Sequence, residues 1–165
     1  MTGRVDQNET LRIADQLRRA FEGEAWHGPA LLEILRGLTA TGAAARPLAR
    51  SHCIWEIVRH IAVWDDVARR RMDGAAVQPT PEEDWPAVTD TSDDAWRKTL
   101  DHLEQTHDVL IRAVTAFSDS RLLEKVPGKE PGFYTFYYML HGIVQHELYH
   151  AGQIALLKKA VDAQR

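Results

Sequence analysis

Residues 135–159 read TFYYMLHGIVQHELYHAGQIALLKK, the most apolar and most helix-like stretch of the chain. On a helix, His146 and His150 lie one turn apart and about 40° from each other around the axis. The apolar residues that share their side of the helix are Phe136, Met139, Ile143, Ile154 and Leu157. The two imidazoles therefore point into a core, where burial is costly unless their polar atoms are satisfied. A metal ion held by both rings would satisfy them.

Composition limits the class of protein. The chain has 165 residues, which fits one domain over residues 1–165, with 44% hydrophobic residues and a net charge of −4. No basic stripe is present to hold phosphates, so we expect no nucleic-acid partner. There is no apolar N-terminal segment and no run of about 18 apolar residues, so we expect no membrane span and a cytoplasmic location. The single cysteine, Cys53, excludes an internal disulfide framework and a cysteine-based zinc site.

The hydrophobic pattern predicts an all-α fold, since no segment alternates with the period of a strand. We predict four amphipathic helices, at about residues 7–21, 54–72, 95–117 and from the end of the 118–133 connection to about 160, with a shorter helical piece at 29–38. Ser51 is a plausible N-cap for the second helix and Ser92 or Asp93 for the third. Residues 39–50 are rich in alanine and are predicted to form a connection, and proline and glycine mark longer connections at 73–89 and 118–133. Four such helices favour a four-helix bundle with at least one crossover, and the long loops are natural lids of a pocket.

His60 is the third candidate ligand. It occupies the centre of an apolar stripe on the second helix that contains Cys53, Ile57, Trp64 and Val67, and Asp65 lies largely outside that stripe. Three neutral imidazoles with an open position form the ligand set of a catalytic-type site for Zn²⁺, Ni²⁺, Fe²⁺ or a similar ion. We interpret the other five histidines as surface or core rings. His107 is one of them, and it sits among apolar residues.

Glu147 lies between the two histidines of the last helix in the pattern His-Glu-x-x-His, which zinc peptidases use with the glutamate as general base. The chain ends 15 residues after His150, without the usual downstream third ligand, which argues against that class. A ferritin-like di-iron centre is set aside as well, because the second helix carries no Glu-x-x-His spacing. Glu147 projects near the edge of the inner stripe. It could serve as the catalytic base, support a ligand, or pair with an arginine.

Three segments together resemble the DinB/YfiT-like superfamily of metal-dependent enzymes. They are His52-Cys-Ile-Trp-Glu-Ile-Val-Arg-His60-Ile-Ala-Val-Trp64, Gln145-His-Glu-Leu-Tyr-His-Ala-Gly-Gln-Ile154 and Ala25-Trp-His-Gly-Pro29. The resemblance implies a four-helix bundle of up-down-down-up type, a divalent metal held by His60, His146 and His150, and a homodimer. Family members with assigned activities resemble thiol-dependent S-transferases or isomerases that use low-molecular-weight thiols such as bacillithiol, mycothiol or glutathione, and others have been called hydrolases.

Two functional hypotheses follow. The first is a metalloenzyme of the thiol-transferase or hydrolase type, acting on a small molecule with one divalent metal and, for transfer, a low-molecular-weight thiol. The second is a non-catalytic, metal-stabilised bundle that binds a partner or a small ligand. An open coordination position beside a pocket favours the enzyme, whereas a closed shell of four ligands favours the structural role. The sequence names neither the metal nor the substrate.

Overall fold

The computed structural model describes residues 8–164, and within that range the chain is helical with no β-strand. A single isolated antiparallel bridge joins Lys125 and Thr135. The helices are α1 (Glu9–Phe21), α2 (Leu31–Leu35), α3 (Ala40–Ala44), α4 (Ile54–Met72), α5 (Pro81–Asp84), α6 (Asp93–Ala116) and α7 (Phe136–Asp162), with a 3₁₀ turn at Asp119–Arg121. The predicted all-α class is confirmed.

The four predicted helices correspond to α1, α4, α6 and α7. These four pack in pairs, with α4 against both α6 and α7, and α1 against the same two helices. The bounds predicted for the second helix are those of α4, while α7 extends two residues beyond the predicted end, to Asp162. Gln7, the predicted start of the first helix, lies outside the described residues.

The short piece predicted at 29–38 corresponds to α2, whereas α3 and α5 were not predicted, because these helices have only five and four residues. Such short helices carry less than two turns of periodic pattern and are held by packing. The piece predicted at 29–38 ends early, at Leu35, because Gly37 adopts a left-handed φ of +74°. Helix α3 then lies within a stretch that the sequence suggested was a plain connection.

Helix α4 carries one of the candidate ligands, and its ends are well defined. Its first turn is closed by the Glu56 carboxylate, which accepts a hydrogen bond of 3.0 Å from the backbone N–H of Cys53. The N-cap is thus Cys53, and the predicted Ser51 lies two residues too early. The helix ends where Gly74 takes a φ of +95° and its N–H bonds to the Arg71 carbonyl.

The core consists of two apolar clusters. The first contains Phe21, Leu31, Leu35, Ala40, Ala43, Cys53, Ile54, Trp55, Ile57, Val58, Ile61, Ala62, Trp96, Leu103, Ala151, Ile154 and Leu157. The second contains Ile13, Ala14, Leu17, Ala68, Met72, Leu110, Ile111, Val114, Leu122, Val126, Phe136, Met139, Leu140 and Ile143. Helices α4, α6 and α7 each contribute residues to both clusters. On each of these helices, a buried polar residue lies between the residues of the first cluster and those of the second.

The loop after α4 is tied to the helical core by the fully buried side chain of Arg71. Its guanidinium donates to the carbonyl of Val77 at 2.8 and 3.0 Å and lies over the ring of Trp64. This tether fixes the segment from which α5 starts. Helix α5 then brings Asp84 and Trp85 against α4. Among residues 8–164, no helix combines the length and the apolar character needed to cross a membrane.

We expect Glu56→Gln to lower the free energy of unfolding at pH 7 by roughly 0.5–1.5 kcal/mol, because Gln keeps the shape but loses the charge that strengthens the hydrogen bonds from Arg46 and the Cys53 N–H. Burial opposes ionisation of Glu56, but hydrogen bonds from Arg46 and the Cys53 N–H outweigh it and hold the pKa below its usual value. A carboxylate with a depressed pKa stabilises the fold above its unfolded pKa, and that contribution is lost as the pH falls through the folded value. The difference between wild type and variant should therefore shrink below about pH 4.3. Denaturant melts at pH 7 and pH 4 measure it, with the exposed Glu130→Gln as control. An equal difference at both pH values would contradict the assignment.

Candidate metal centre

His60 of α4 meets His146 and His150 of α7 at one point between the two helices. One ring nitrogen from each of the three lies within 4.8 Å of the others. The Nε2 atoms of His60 and His146 are 3.0 Å apart. The structure therefore brings together the three histidines that the sequence singled out.

Two of the three rings are oriented by acceptors on their opposite sides. His60 Nδ1 lies 2.9 Å from the Asp84 carbonyl oxygen, and His150 Nδ1 lies 2.7 Å from the side-chain oxygen of Gln153. Because a carbonyl or amide oxygen can only accept, each Nδ1 carries the proton. Nε2 of each ring is then the unprotonated nitrogen, with its lone pair free for a metal.

The Asp84 carboxylate strengthens this arrangement. Its Oδ1 lies 3.1 Å from His60 Nδ1 and accepts a hydrogen bond of 2.7 Å from Trp64 Nε1. A carboxylate behind a histidine is the usual support of a metal-binding imidazole, since it fixes the ring and raises its basicity.

A divalent cation fits this donor set. With Nδ1 protonated on His60, its Nε2 is an acceptor 3.0 Å from Nε2 of His146, a separation that suits a shared cation as well as an N–H donated by His146. Donor atoms that share an ion at about 2.0–2.1 Å lie roughly 3–3.5 Å apart. The Nδ1 atom of His146 is buried and has no hydrogen-bond partner among the described residues. All three ligands are imidazoles, which suit Zn²⁺, Ni²⁺ and Fe²⁺.

The three rings are neutral at physiological pH. Burial lowers the pKa of His60 and of His150 below the ordinary histidine value. Burial, together with the charges that His150 and His60 would carry, lowers the pKa of His146 to about 3. Neutral imidazoles are the form that binds a metal, so the site need not lose protons near pH 7 in order to bind.

Trp85 covers the site from the loop side. Its ring stacks on His60 at a centroid distance of 3.9 Å and on the exposed His52 at 3.6 Å, so the indole lies between two imidazoles. The sequence placed Trp85 only in a loop that could act as a lid. Its position within the site depends on α5, which the sequence did not predict.

A pocket of about 380 Å³ opens beside His150. Its walls are mostly apolar, and they consist of Leu48, Arg50, Ser51, His52, Ile57, Trp85, Tyr149, His150, Gln153, Leu156 and Leu157. A groove of about 840 Å³ between α4, α6 and residues 76–86 is larger, but none of the three histidines lines it. The smaller pocket is the better candidate for a ligand site because it adjoins groups that can do chemistry.

Glu147 does not lie with the three histidines but in a second buried group of polar side chains. Its carboxylate is fully buried, with Oε1 2.9 Å from His107 Nδ1, and His107 in turn lies 3.1 Å from Asp65 Oδ2. We call Asp65, His107 and Glu147 the polar layer, since they separate the two apolar clusters. Burial and the charge of Asp65 raise the pKa of Glu147. Burial alone would lower the pKa of His107, but the two carboxylates reverse this and raise it. The sequence interpretation missed Asp65, which it placed outside the inner stripe, and left His107 as a plain core ring.

Comparison with known proteins gives one match. A family model described as the DinB superfamily matches residues 25–154, which is well over half of the chain and includes all three histidines. Curated proteins and solved structures give no match.

Proposed function

The chain belongs to the DinB superfamily, and from that premise we propose that it is a metal-dependent enzyme in which His60, His146 and His150 hold one divalent ion. The observation that carries the proposal is the convergence of three neutral imidazoles, two of them with Nδ1 bound to an acceptor and Nε2 turned inward. Three imidazoles leave a coordination position for a substrate atom, which is the pattern of catalytic sites.

The surrounding residues would orient and shield the reaction. Trp85 keeps bulk water from one face of His60, and the pocket beside His150 would receive the apolar part of a small-molecule substrate. When bound, a divalent ion supplies Lewis acidity, which lowers the pKa of a water or thiol that it holds. Thiol transfer with a low-molecular-weight thiol is the first reaction class we propose, and hydrolysis is the second.

The alternative is a non-catalytic, metal-stabilised protein that binds a partner or a small ligand. A fourth protein ligand would favour it, since structural sites are closed. The histidine group has three members, and the adjoining apolar pocket supports the enzyme.

We also propose the up-down-down-up order for the four long helices. The homodimer and the cytoplasmic location stay predictions.

Elemental analysis tests the proposal first. The protein should be purified without chelator or metal-affinity resin, and about one equivalent of a transition metal is expected at this site. The loaded protein is then screened for thiol conjugation with bacillithiol, mycothiol and glutathione, and for ester and amide hydrolysis. Activity that a chelator abolishes and the metal restores supports the enzyme. Full metal occupancy with no turnover on either panel would favour the structural alternative.

Glu147→Gln addresses the predicted catalytic base. The carboxylate of Glu147 is fully buried and contacts His107, which is not one of the three histidines, so we expect metal affinity at the three histidines to stay within about twofold of the wild type. Chelator competition measures this, with the exposed Glu104→Gln as control. A group that supports the metal ligands would lower that affinity by roughly 10–100-fold. A catalytic base would keep the affinity and lower the rate by about 10²–10⁴, which is the result that the predicted role requires.

A further inference from the structure

The polar layer takes one residue from each of three helices. Asp65 comes from α4, His107 from α6 and Glu147 from α7, and none of the three side chains has any solvent exposure. Along each helix the neighbours on the same face are apolar, such as Ala62 and Ala68 on α4. Phe21 seals the layer by stacking on the His107 ring at a centroid distance of 3.8 Å. Three ionisable groups thus share one closed space.

Hydrogen-bond acceptors outnumber donors in this layer. The carboxylates of Asp65 and Glu147 bring four oxygens, and both approach the same nitrogen, His107 Nδ1, at 3.1 and 2.9 Å. A single N–H cannot point well at two acceptors. Asp65 Oδ1, both oxygens of Glu147 and His107 Nε2 have no hydrogen-bond partner among the described residues. Unsatisfied buried carboxylate oxygens are costly, so the layer calls for a further positive group.

The charge of the layer can be balanced by a proton on His107, whose pKa the two carboxylates raise, or by a cation that takes the place of that proton. Two carboxylates face one imidazole, and no lysine or arginine among the described residues forms an ion pair with either carboxylate. A dication would neutralise two carboxylates when His107 is a neutral ligand. It would also satisfy several oxygen lone pairs at once, which one proton cannot do.

We propose that the polar layer is a second metal site, in which Asp65, His107 and Glu147 bind a divalent cation such as Zn²⁺ or Mn²⁺. One donor atom from each residue lies within 4.8 Å of the others. The separations of 2.9 and 3.1 Å from His107 Nδ1 suit donors that share an ion at about 2.0–2.2 Å. Mixed carboxylate and imidazole ligands suit Zn²⁺, Mn²⁺ and Fe²⁺. This site is independent of the three histidines, and its role is to join α4, α6 and α7 at the middle of the core.

The test counts metal ions per chain. The full chain is expressed in zinc-supplemented medium, purified without chelator or metal-affinity resin, and analysed by mass spectrometry of the elements. We expect two zinc ions in the wild type, one in Asp65→Asn, one in His60→Ala and none in the double variant. Asp65→Asn keeps the shape of the side chain and removes its charge, which makes it a mild probe of the layer.

Each other count has a defined meaning. One ion in the wild type that Asp65→Asn retains and His60→Ala loses overturns the second site and supports the proposed function. One ion that only Asp65→Asn loses supports the second site and overturns the histidine site. An ion that remains in the double variant lies outside both sites. Two ions in the wild type would then no longer indicate a site in the polar layer, and the proposal would be overturned. If Asp65→Asn does not fold, His60→Ala decides, because it must still hold one ion.

Discussion

Replacing His60 by alanine is expected to remove the metal from the three-histidine site. His60 is the sole ligand from α4, so its loss leaves His146 and His150, both from α7, as the remaining pair. Losing a ligand should cost more than losing a supporting group, so we expect affinity to fall by more than about 100-fold. The substitution would also remove the imidazole ring on which the Trp85 ring stacks. Zinc titration of chelator-treated protein against a competing dye measures the change.

His141→Ala is the matched control for His60→Ala. His141 lies on α7, half-buried, beside the Tyr137 ring, and is not one of the three meeting histidines. The control should bind zinc as tightly as the wild type. Equal affinity of wild type and His60→Ala would show that the three histidines do not form one site.

Replacing His107 by leucine is expected to destabilise the chelator-treated protein by roughly 3–5 kcal/mol. The change leaves Asp65 and Glu147 buried and facing each other without a positive partner. For a chain of this size the melting temperature should fall by roughly 6–20 °C. Thermal and denaturant melts of His107→Leu give both values.

The loss in His107→Leu should increase with pH. Without the imidazole, the two buried carboxyl groups have pKa values raised above those of the unfolded chain, so the folded state holds more protons. Stability then falls as the pH rises through the unfolded values toward the folded ones. His102→Leu, an exposed position on the same helix, should change stability by less than about 0.5 kcal/mol. Adding Asp65→Asn and Glu147→Gln to His107→Leu should recover part of the loss. A loss below about 1 kcal/mol in His107→Leu would mean that the layer is not held together by charge.

The helical spacing of apolar residues predicts more of the buried core than the stripe through His60 alone. The buried positions of α4 recur at alternating spacings of four and three, and they are Ile54, Val58, Ile61, Asp65, Ala68 and Met72. The stripe drawn through His60 is the neighbouring one, so Asp65 was placed outside the inner face. The same spacing on α7 runs Phe136, Leu140, Ile143, Glu147, His150, Ile154, Leu157 and Val161. A strict count of that pattern would have placed Asp65 and Glu147 in the core.

The His107 position on α6 fits the same rule, between Leu103 and Leu110. The contacts between helices could not be predicted from a periodic pattern. The spacing on one helix predicts its own buried face, but not which face of another helix packs against it. That His107 contacts both carboxylates depends on α4, α6 and α7 packing together, and this was visible only in the structure.

The support of His60 was also beyond sequence reasoning. It comes from the carbonyl and carboxylate of Asp84, at the end of the four-residue helix α5. Every residue has a carbonyl, so the sequence carries no signal for that contact. The position of α5 depends in turn on the tether between Arg71 and Val77. The three candidate histidines were predictable because two lie one turn apart and the third lies on an apolar stripe.

Anomalous diffraction at the zinc absorption edge, from crystals of wild-type protein expressed with zinc, would locate the metal itself. We expect a strong peak about 2.0–2.1 Å from the Nε2 atoms of His60, His146 and His150. Its remaining side should carry a non-protein ligand and face the pocket beside His150. The absence of a peak between these three rings, or a peak in contact with only one of them, would contradict it.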